Sequence, residues 1–257
     1  MSQGRIDILG SWVDKLTMQE ALNRLKVYLK ESKPHAIYTP NSEIIMRAYR
    51  DENFRKVLNS ADMVVADGIG VVYASRILKD PIKERVGGFD LSGLLIKEIS
   101  DGSASLYFFG GKPGVAEQAK KNLCEKYPKL NICGVADGYF DAEKEKAIIA
   151  DIKEKKPDII FVCLGVPKQE EWIFAHKNEL GVKILMGIGG SLDVYAGIVE
   201  RAPVAFQKLG LEWFYRLMKE PWRIGRMMDL PKFGFTVMLK GKRVEKVKDE
   251  RKEKTNG

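Results

Sequence analysis

Ser105-Leu-Tyr-Phe-Phe109-Gly-Gly-Lys-Pro-Gly114 is an apolar run of strand length that stops at two glycines and a turn. A helical pattern follows to about Lys126. The same phrase recurs three times. Ile132–Ala136 leads through Asp137-Gly-Tyr-Phe140 into Ala142–Lys155. Asp158–Leu164 leads through Gly165-Val-Pro-Lys-Gln169 into Glu170–Asn178. Lys183–Met186 leads through Gly187-Ile-Gly-Gly-Ser191 into Leu192–Ala196. Strands and helices alternating at this length predict an α/β fold: a Rossmann-like parallel sheet with right-handed crossovers and helices on its faces. The glycines follow the strands, so they gather at the carboxyl edge of the sheet, where open α/β folds bind ligands.

Upstream, the same unit contains an acid. In Ala61-Asp-Met-Val-Val-Ala-Asp67-Gly-Ile-Gly70, the run Met63–Ala66 reads as a short buried strand. Asp67 stands at its carboxyl end, and Gly68 and Gly70 turn the chain into a helix from about Val71. Two readings of Asp67 stand side by side: an uncrowded acid at the ligand-binding edge, or the N-cap of the next helix. Earlier still, Ile6–Leu9 and Ala36–Tyr38 read as strands. Thr17-Met-Gln-Glu20 has the form of a capping box, and Ser42–Arg50 and Glu52–Asn59 read as helices. Pro81–Phe89 is a polar loop carrying Arg85, and Leu91–Ile99 is helical.

From Pro203 the texture changes. Residues 211–220 form a helical pattern rich in Trp213, Phe214, Tyr215 and Met218, which Pro221 interrupts. Amphipathic spacing resumes to Pro231, and Lys240–Gly257 is a charged tail of disordered composition. A body of residues 1–202 and an appendage of residues 203–257 are therefore expected. Charge divides the same way. The chain of 257 residues carries a net +8, and Arg201–Gly257 alone, with 15 Lys+Arg against 7 Asp+Glu, supplies all of it. A neutral body with a basic extension implies an anionic partner: lipid head groups, lipid-linked phosphate or nucleic acid. Arg216, Arg223 and Arg226, interleaved with aromatic and Met side chains, would fall on one side if the helix ran continuously through Pro221. That mixture reads as a membrane-surface helix with basic groups at phosphate level; the competing reading is a core-packing helix.

Other classes recede. The start Met1–Trp12 lacks the pattern of a secretory signal, and no window approaches the roughly 18 apolar residues of a membrane span. Cys124, Cys133 and Cys163 form no CxxC pair, so neither a disulfide framework nor a zinc site is expected and a cytoplasmic setting is the default. His35 and His176 are far apart and there is no DxD, so no metal is expected. None of the turns has the GxGxxG spacing of a dinucleotide site or the Walker pattern. Four glycine-rich turns at one edge nonetheless suit a phosphate-bearing, nucleotide-type ligand. Without Ser–His–Asp or Cys–His sets, a carboxylate acting as general base is the simplest remaining chemistry.

Thr39-Pro-Asn41-Ser-Glu, Ala66-Asp67-Gly-Ile-Gly70, Glu84-Arg85-Val-Gly-Gly-Phe-Asp90, Phe109-Gly110-Gly-Lys-Pro-Gly114, Gly165-Val-Pro-Lys-Gln169-Glu-Glu-Trp172, Gly187-Ile-Gly-Gly190-Ser-Leu-Asp193, Arg201-Ala-Pro203 and Gly210-Leu-Glu-Trp213 occur in that order. Together they resemble the WecG/TagA/CpsF glycosyltransferase family from about Ile6 to Met228. The resemblance implies an inverting transferase that works without metal or cofactor. Its donor would be a UDP-sugar and its acceptor an undecaprenyl-diphosphate-linked sugar at the inner face of the cytoplasmic membrane. Within the family the resemblance points to N-acetylmannosamine passing to the 4-hydroxyl of lipid-linked N-acetylglucosamine, in wall teichoic acid linkage-unit synthesis. Other members use other UDP-sugars, such as the mannosaminuronic acid derivative. The resemblance also implies peripheral membrane association and self-association through the body. By motif position Asp67 would be the general base, with Thr39 and Asn41 beside it. Arg85, Gln169, Gly110, Gly190 and Asp193 would contact substrate, and Arg216, Arg223 and Arg226 would face the leaving diphosphate. A nucleotide- or nucleic-acid-binding module using the basic tail is the alternative from another class; strongly salt-dependent binding would mark it.

Overall fold

The computed structural model describes residues 4–203, 205–206, 211–219 and 230–240. Its centre is a six-stranded sheet in which every neighbouring pair is parallel. In chain order its strands are β3 (His35–Tyr38), β4 (Met63–Val64), β5 (Ser105–Gly110), β6 (Asn131–Ala136), β7 (Ile159–Cys163) and β8 (Ile184–Gly187). In space they run β4-β3-β8-β7-β5-β6. The four-fold strand–turn–helix phrase of the sequence is thus the right-hand part of one parallel sheet. Its helices are α6 (Val115–Lys126), α7 (Ala142–Lys155), α8 (Lys168–His176) and α9 (Ser191–Tyr195).

Alternation along the strands explains the two layers. Tyr107, Phe109, Ile160, Val162 and Leu185 face one apolar cluster, while Leu106, Phe108, Ile159, Phe161 and Met186 face the other. Successive strand residues point to opposite faces, and a sheet covered on both sides needs apolar residues at every position. The first cluster is closed by α2 (Ser42–Arg50), α3 (Glu52–Asn59), α4 (Ile69–Ile77), α7 and α8. The second is closed by α1 (Met18–Tyr28), α5 (Gly88–Glu98), α6 and α9.

Several features differ from the sequence expectation, among them the start of α5 at Gly88, inside the expected loop Pro81–Phe89. Residues 5–14 form a hairpin, β1 (Arg5–Ile8) with β2 (Ser11–Asp14), where only one strand was expected. Leu9 and Gly10 both take positive φ, as a two-residue hairpin turn of this hand requires. Asp14 of β2 accepts a 2.8 Å bond from the Val64 N–H, so the hairpin ties to the open edge of the sheet at β4. The helix after Asp67 begins at Ile69, two residues before its expected start, with Gly68 as its cap.

Residues 212–219 form α10 (Glu212–Lys219), and residues 230–240 form α11. Phe233 and Val237 of α11 are buried in the same cluster as Ile44 and Val71. Gly70 lets this happen: a Cβ there would collide with the Ser42 hydroxyl and lie 3.3 Å from Leu230 Cδ2. Lys240 closes the end of the contact, its Nζ donating to the Tyr49 hydroxyl at 2.6 Å. The charged tail beyond 240 lies outside the described residues. Among the described residues, no helix is long and apolar enough to cross a membrane.

Candidate active site

The carboxyl ends of β4, β3, β8 and β7 lie side by side, so the loops after them form one lip. Pairing between β3 and β4 continues past the strands: the Val65 N–H reaches the Tyr38 carbonyl (3.0 Å) and the Asp67 N–H the Pro40 carbonyl (3.1 Å). This fixes the Asp67 backbone against β3. The helix α4 starts at Ile69, with Gly68 at its N-cap position. Asp67 Oδ2 accepts a 3.0 Å bond from Gly88 N–H, the first residue of α5. The N-terminal end of a helix favours an anion there. The other oxygen, Oδ1, stands 3.5 Å from Arg85 Nη1.

Thr39 and Asn41, in the loop after β3, each have a structural bond. Thr39 Oγ1 donates to the Gly187 carbonyl at 3.0 Å and abuts Gly88, where a Cβ would come within 2.9 Å of that oxygen. Asn41 caps α2 by accepting from the Ile44 N–H at 3.0 Å, and it lies against Gly68.

On the β7–β8 side, Gln169 and Glu170 are buried at 2% and 1% exposure in the first turn of α8. The Gln169 Oε1 accepts from Gly189 N–H (3.1 Å) and its Nε2 donates to Glu170 Oε1 (2.8 Å). Gln169 therefore braces the Gly187–Gly190 turn. Burial pushes the Glu170 carboxyl up to about 7, against the lowering effect of the Gln169 bond. The spacing of buried Gln169, Glu170, Trp172 and Ile173 follows one helix face, which was the available sign in the sequence that these polar groups point inward. Gly110 takes φ 132°, and a Cβ there would collide with the Cys163 carbonyl, so packing of β5 on β7 requires this glycine. Gly190 starts α9, and the Asp193 carbonyl accepts from the N–H groups of Ile198 (2.9 Å) and Val199 (3.1 Å). Cys163 is buried at the end of β7, which raises its thiol.

The feature sequence reading did not foresee is a ring of four charges. Arg85 Nη2 donates to Asp90 Oδ2 (2.9 Å) and its Nη1 to Glu212 Oε2 (2.7 Å). Arg201 meets the same two acids, through Nη1 to Asp90 Oδ1 (2.7 Å) and Nε to Glu212 Oε1 (3.1 Å). The Arg201 guanidinium also lies over the Phe89 ring, 4.8 Å from its centroid. Burial alone would lower the Arg201 pKa, but Asp90 and Glu212 raise it overall. Glu212 belongs to α10, so the ring is where the C-terminal region meets the lip beside Asp67. The side chain of Arg216, and all of Arg223 and Arg226, lie outside the described residues. Among the described residues, no three His, Cys, Asp or Glu side chains gather as a metal site.

Residues 6–247 match the Glycosyl transferase WecG/TagA/CpsF family. Three similar proteins come from Staphylococcus aureus strains MRSA252, MW2 and NCTC 8325. Each is 36% identical over 246 residues, covering 95% of this chain and 96% of the relative. Each is named N-acetylglucosaminyldiphosphoundecaprenol N-acetyl-beta-D-mannosaminyltransferase.

Proposed function

The chain belongs to the WecG/TagA/CpsF glycosyltransferase family, and from that premise we propose its reaction. It transfers N-acetylmannosamine from UDP-N-acetylmannosamine to the 4-hydroxyl of N-acetylglucosaminyl-diphospho-undecaprenol, with inversion, in wall teichoic acid linkage-unit synthesis. The observation that carries this reading is the 36% identity over 95% of the chain to transferases named for that acceptor and that sugar.

In the proposed reaction Asp67 takes the proton of the acceptor hydroxyl. The freed oxygen forms a bond to the anomeric carbon as the bond from that carbon to the UDP phosphate breaks. The electron pair leaves with UDP. A positioned carboxylate is worth about 10²–10⁴-fold to such a step, and cations near the departing diphosphate stabilise its growing charge. Arg85 is within reach of that role, and Arg216, Arg223 and Arg226 are assigned to it with the appendage, residues 203–257. Thr39 and Asn41 are assigned to the catalytic group beside Asp67, and Gln169, Gly110, Gly190 and Asp193 to substrate contacts.

The same proposal places the protein peripherally on the inner membrane face. Trp213, Phe214 and Met218 of α10 and Phe235, Met238 and Leu239 of α11 are exposed apolar side chains near Lys219, Lys232 and Lys240, a mixture suited to lipid head groups. Self-association through the body belongs to this reading too. The test is UDP release from a panel of UDP-sugars with a short-chain lipid-linked N-acetylglucosamine acceptor. Release is expected with UDP-N-acetylmannosamine and only when acceptor is present. Faster release from the mannosaminuronic acid donor, or none from any donor, replaces the reading.

A further inference from the structure

Arg85 Nη1 faces two carboxylates at once. Glu212 Oε2 holds it at 2.7 Å, while Asp67 Oδ1 stands at 3.5 Å. The second nitrogen of the same guanidinium is fixed by Asp90 at 2.9 Å. A cation that close to a carboxylate stabilises its charged form, and the effect grows steeply as the pair shortens. How far Arg85 stands from Asp67 therefore sets how readily Asp67 accepts a proton.

We propose that Glu212 of α10 is a positioning residue that acts through Arg85: it draws the guanidinium off Asp67 and so keeps that carboxylate a competent base. The inference rests on the reading of Asp67 as the base. Among the described residues, the charged groups paired at this corner include Arg85 from the loop before α5, Asp90 from α5, Arg201 from the segment after α9 and Glu212 from α10. The packing around them is close enough to hold the arrangement. A Cβ on Gly87 would lie 2.8 Å from Asp90 Oδ2 and 3.2 Å from both terminal nitrogens of Arg85. With Glu212 neutral, the carboxylate left facing Arg85 Nη1 among the described residues is Asp67, just outside the ring at 3.5 Å. With Arg201 neutral, Glu212 and Asp90 serve Arg85 alone, and the guanidinium stays where it is. A C-terminal region coupled this way switches on the base when α10 docks.

The experiment compares Glu212→Gln and Arg201→Gln in the full chain, with UDP-N-acetylmannosamine and the short-chain lipid-linked acceptor. Each variant removes one charge from the ring, but Arg201→Gln leaves the Glu212–Arg85 pair in place. In Glu212→Gln the acid limb of the kcat/KM profile moves to lower pH, by about half to one unit, and the plateau of kcat falls about three- to tenfold, because a base pulled closer to a cation is a weaker one. In Arg201→Gln the limb does not move down. An unmoved limb in Glu212→Gln, or the same downward shift in both variants, overturns the proposal; a rise in KM alone does so too, since that is what simple undocking gives. Asp67→Asn in the same assay separates the two readings. Full turnover in that variant removes Asp67 as base, whereas its loss together with an unmoved Glu212→Gln limb removes only the role given to Glu212.

Discussion

Single residues at the lip have been chosen for where their bonds go. Asp67 is attached by its carboxylate to a helix that begins 21 residues later, at Gly88. Glu170 is the opposite case, a carboxyl drawn into the interior. Its Oε2 is buried without a hydrogen-bond partner, and its acid is pushed up to about 7 from an ordinary value of 4.5. A raised acid in the folded state means that folding holds the proton. The resulting stability is complete below about pH 4.5 and declines as pH rises through 7. Glu170→Gln removes that decline. Urea midpoints taken at pH 5 and pH 8 should differ less in the variant. At pH 8 the variant should be the more stable protein, by on the order of 1–3 kcal/mol. An unchanged difference between the two pH values would place the carboxyl in a wetter site. Gln169→Glu is not the complement, because an ionised carboxylate there accepts from the Gly189 N–H but offers Glu170 no donor.

At the scale of elements, the site is made by helix starts. Asn41 caps α2, Asp67 meets the start of α5, Gln169 stands in the first turn of α8, and Gly190 opens α9. Parallel strands put all of these starts at one edge, and each offers N–H groups and positive potential to an anionic ligand. The loop Arg85–Gly88 is the joint that connects these starts to α10. Gly87 has an ordinary φ of −72°, so its glycine answers to crowding by Asp90 and Arg85, not to backbone conformation. Gly87→Ala should therefore leave the fold intact and disturb the ring. Turnover is expected to drop about tenfold, within the range that a 1 Å misplacement of site groups brings, while the thermal midpoint shifts little. Wild-type turnover in this variant would mean that the ring adapts freely. Motifs exposed the glycines and the arginine to sequence reading. The ring itself was not legible, since residues 85, 90, 201 and 212 become neighbours only when the chain end returns to the lip.

For the whole molecule, the described residues of the C-terminal region meet the body at two places. One is the charged ring at Glu212; the other is the insertion of Phe233 and Val237 into the apolar cluster that also holds Ile44 and Val71. Along α11, Phe233 and Val237 are buried, while Phe235, Met238 and Leu239 are exposed. A chain ending at Pro203 loses both attachments. It should fold, because the sheet and its flanking helices lie before that point, but with a lower thermal midpoint from the uncovered apolar surface and with turnover reduced at least a hundredfold; full activity in the truncated chain would separate the C-terminal region from the chemistry. By itself the sequence determined the parallel α/β architecture, the edge where its loops converge and the family, because strand period, helix period and turn residues are local properties that each segment carries with it. Only the tertiary structure decided that a second strand closes the N-terminal hairpin, that Glu170 is buried, and that Asp67, Arg85, Asp90, Arg201 and Glu212 share one corner. Those facts depend on which distant segments come to lie within a few ångströms, and charge pairing at that range follows packing, which no local pattern encodes.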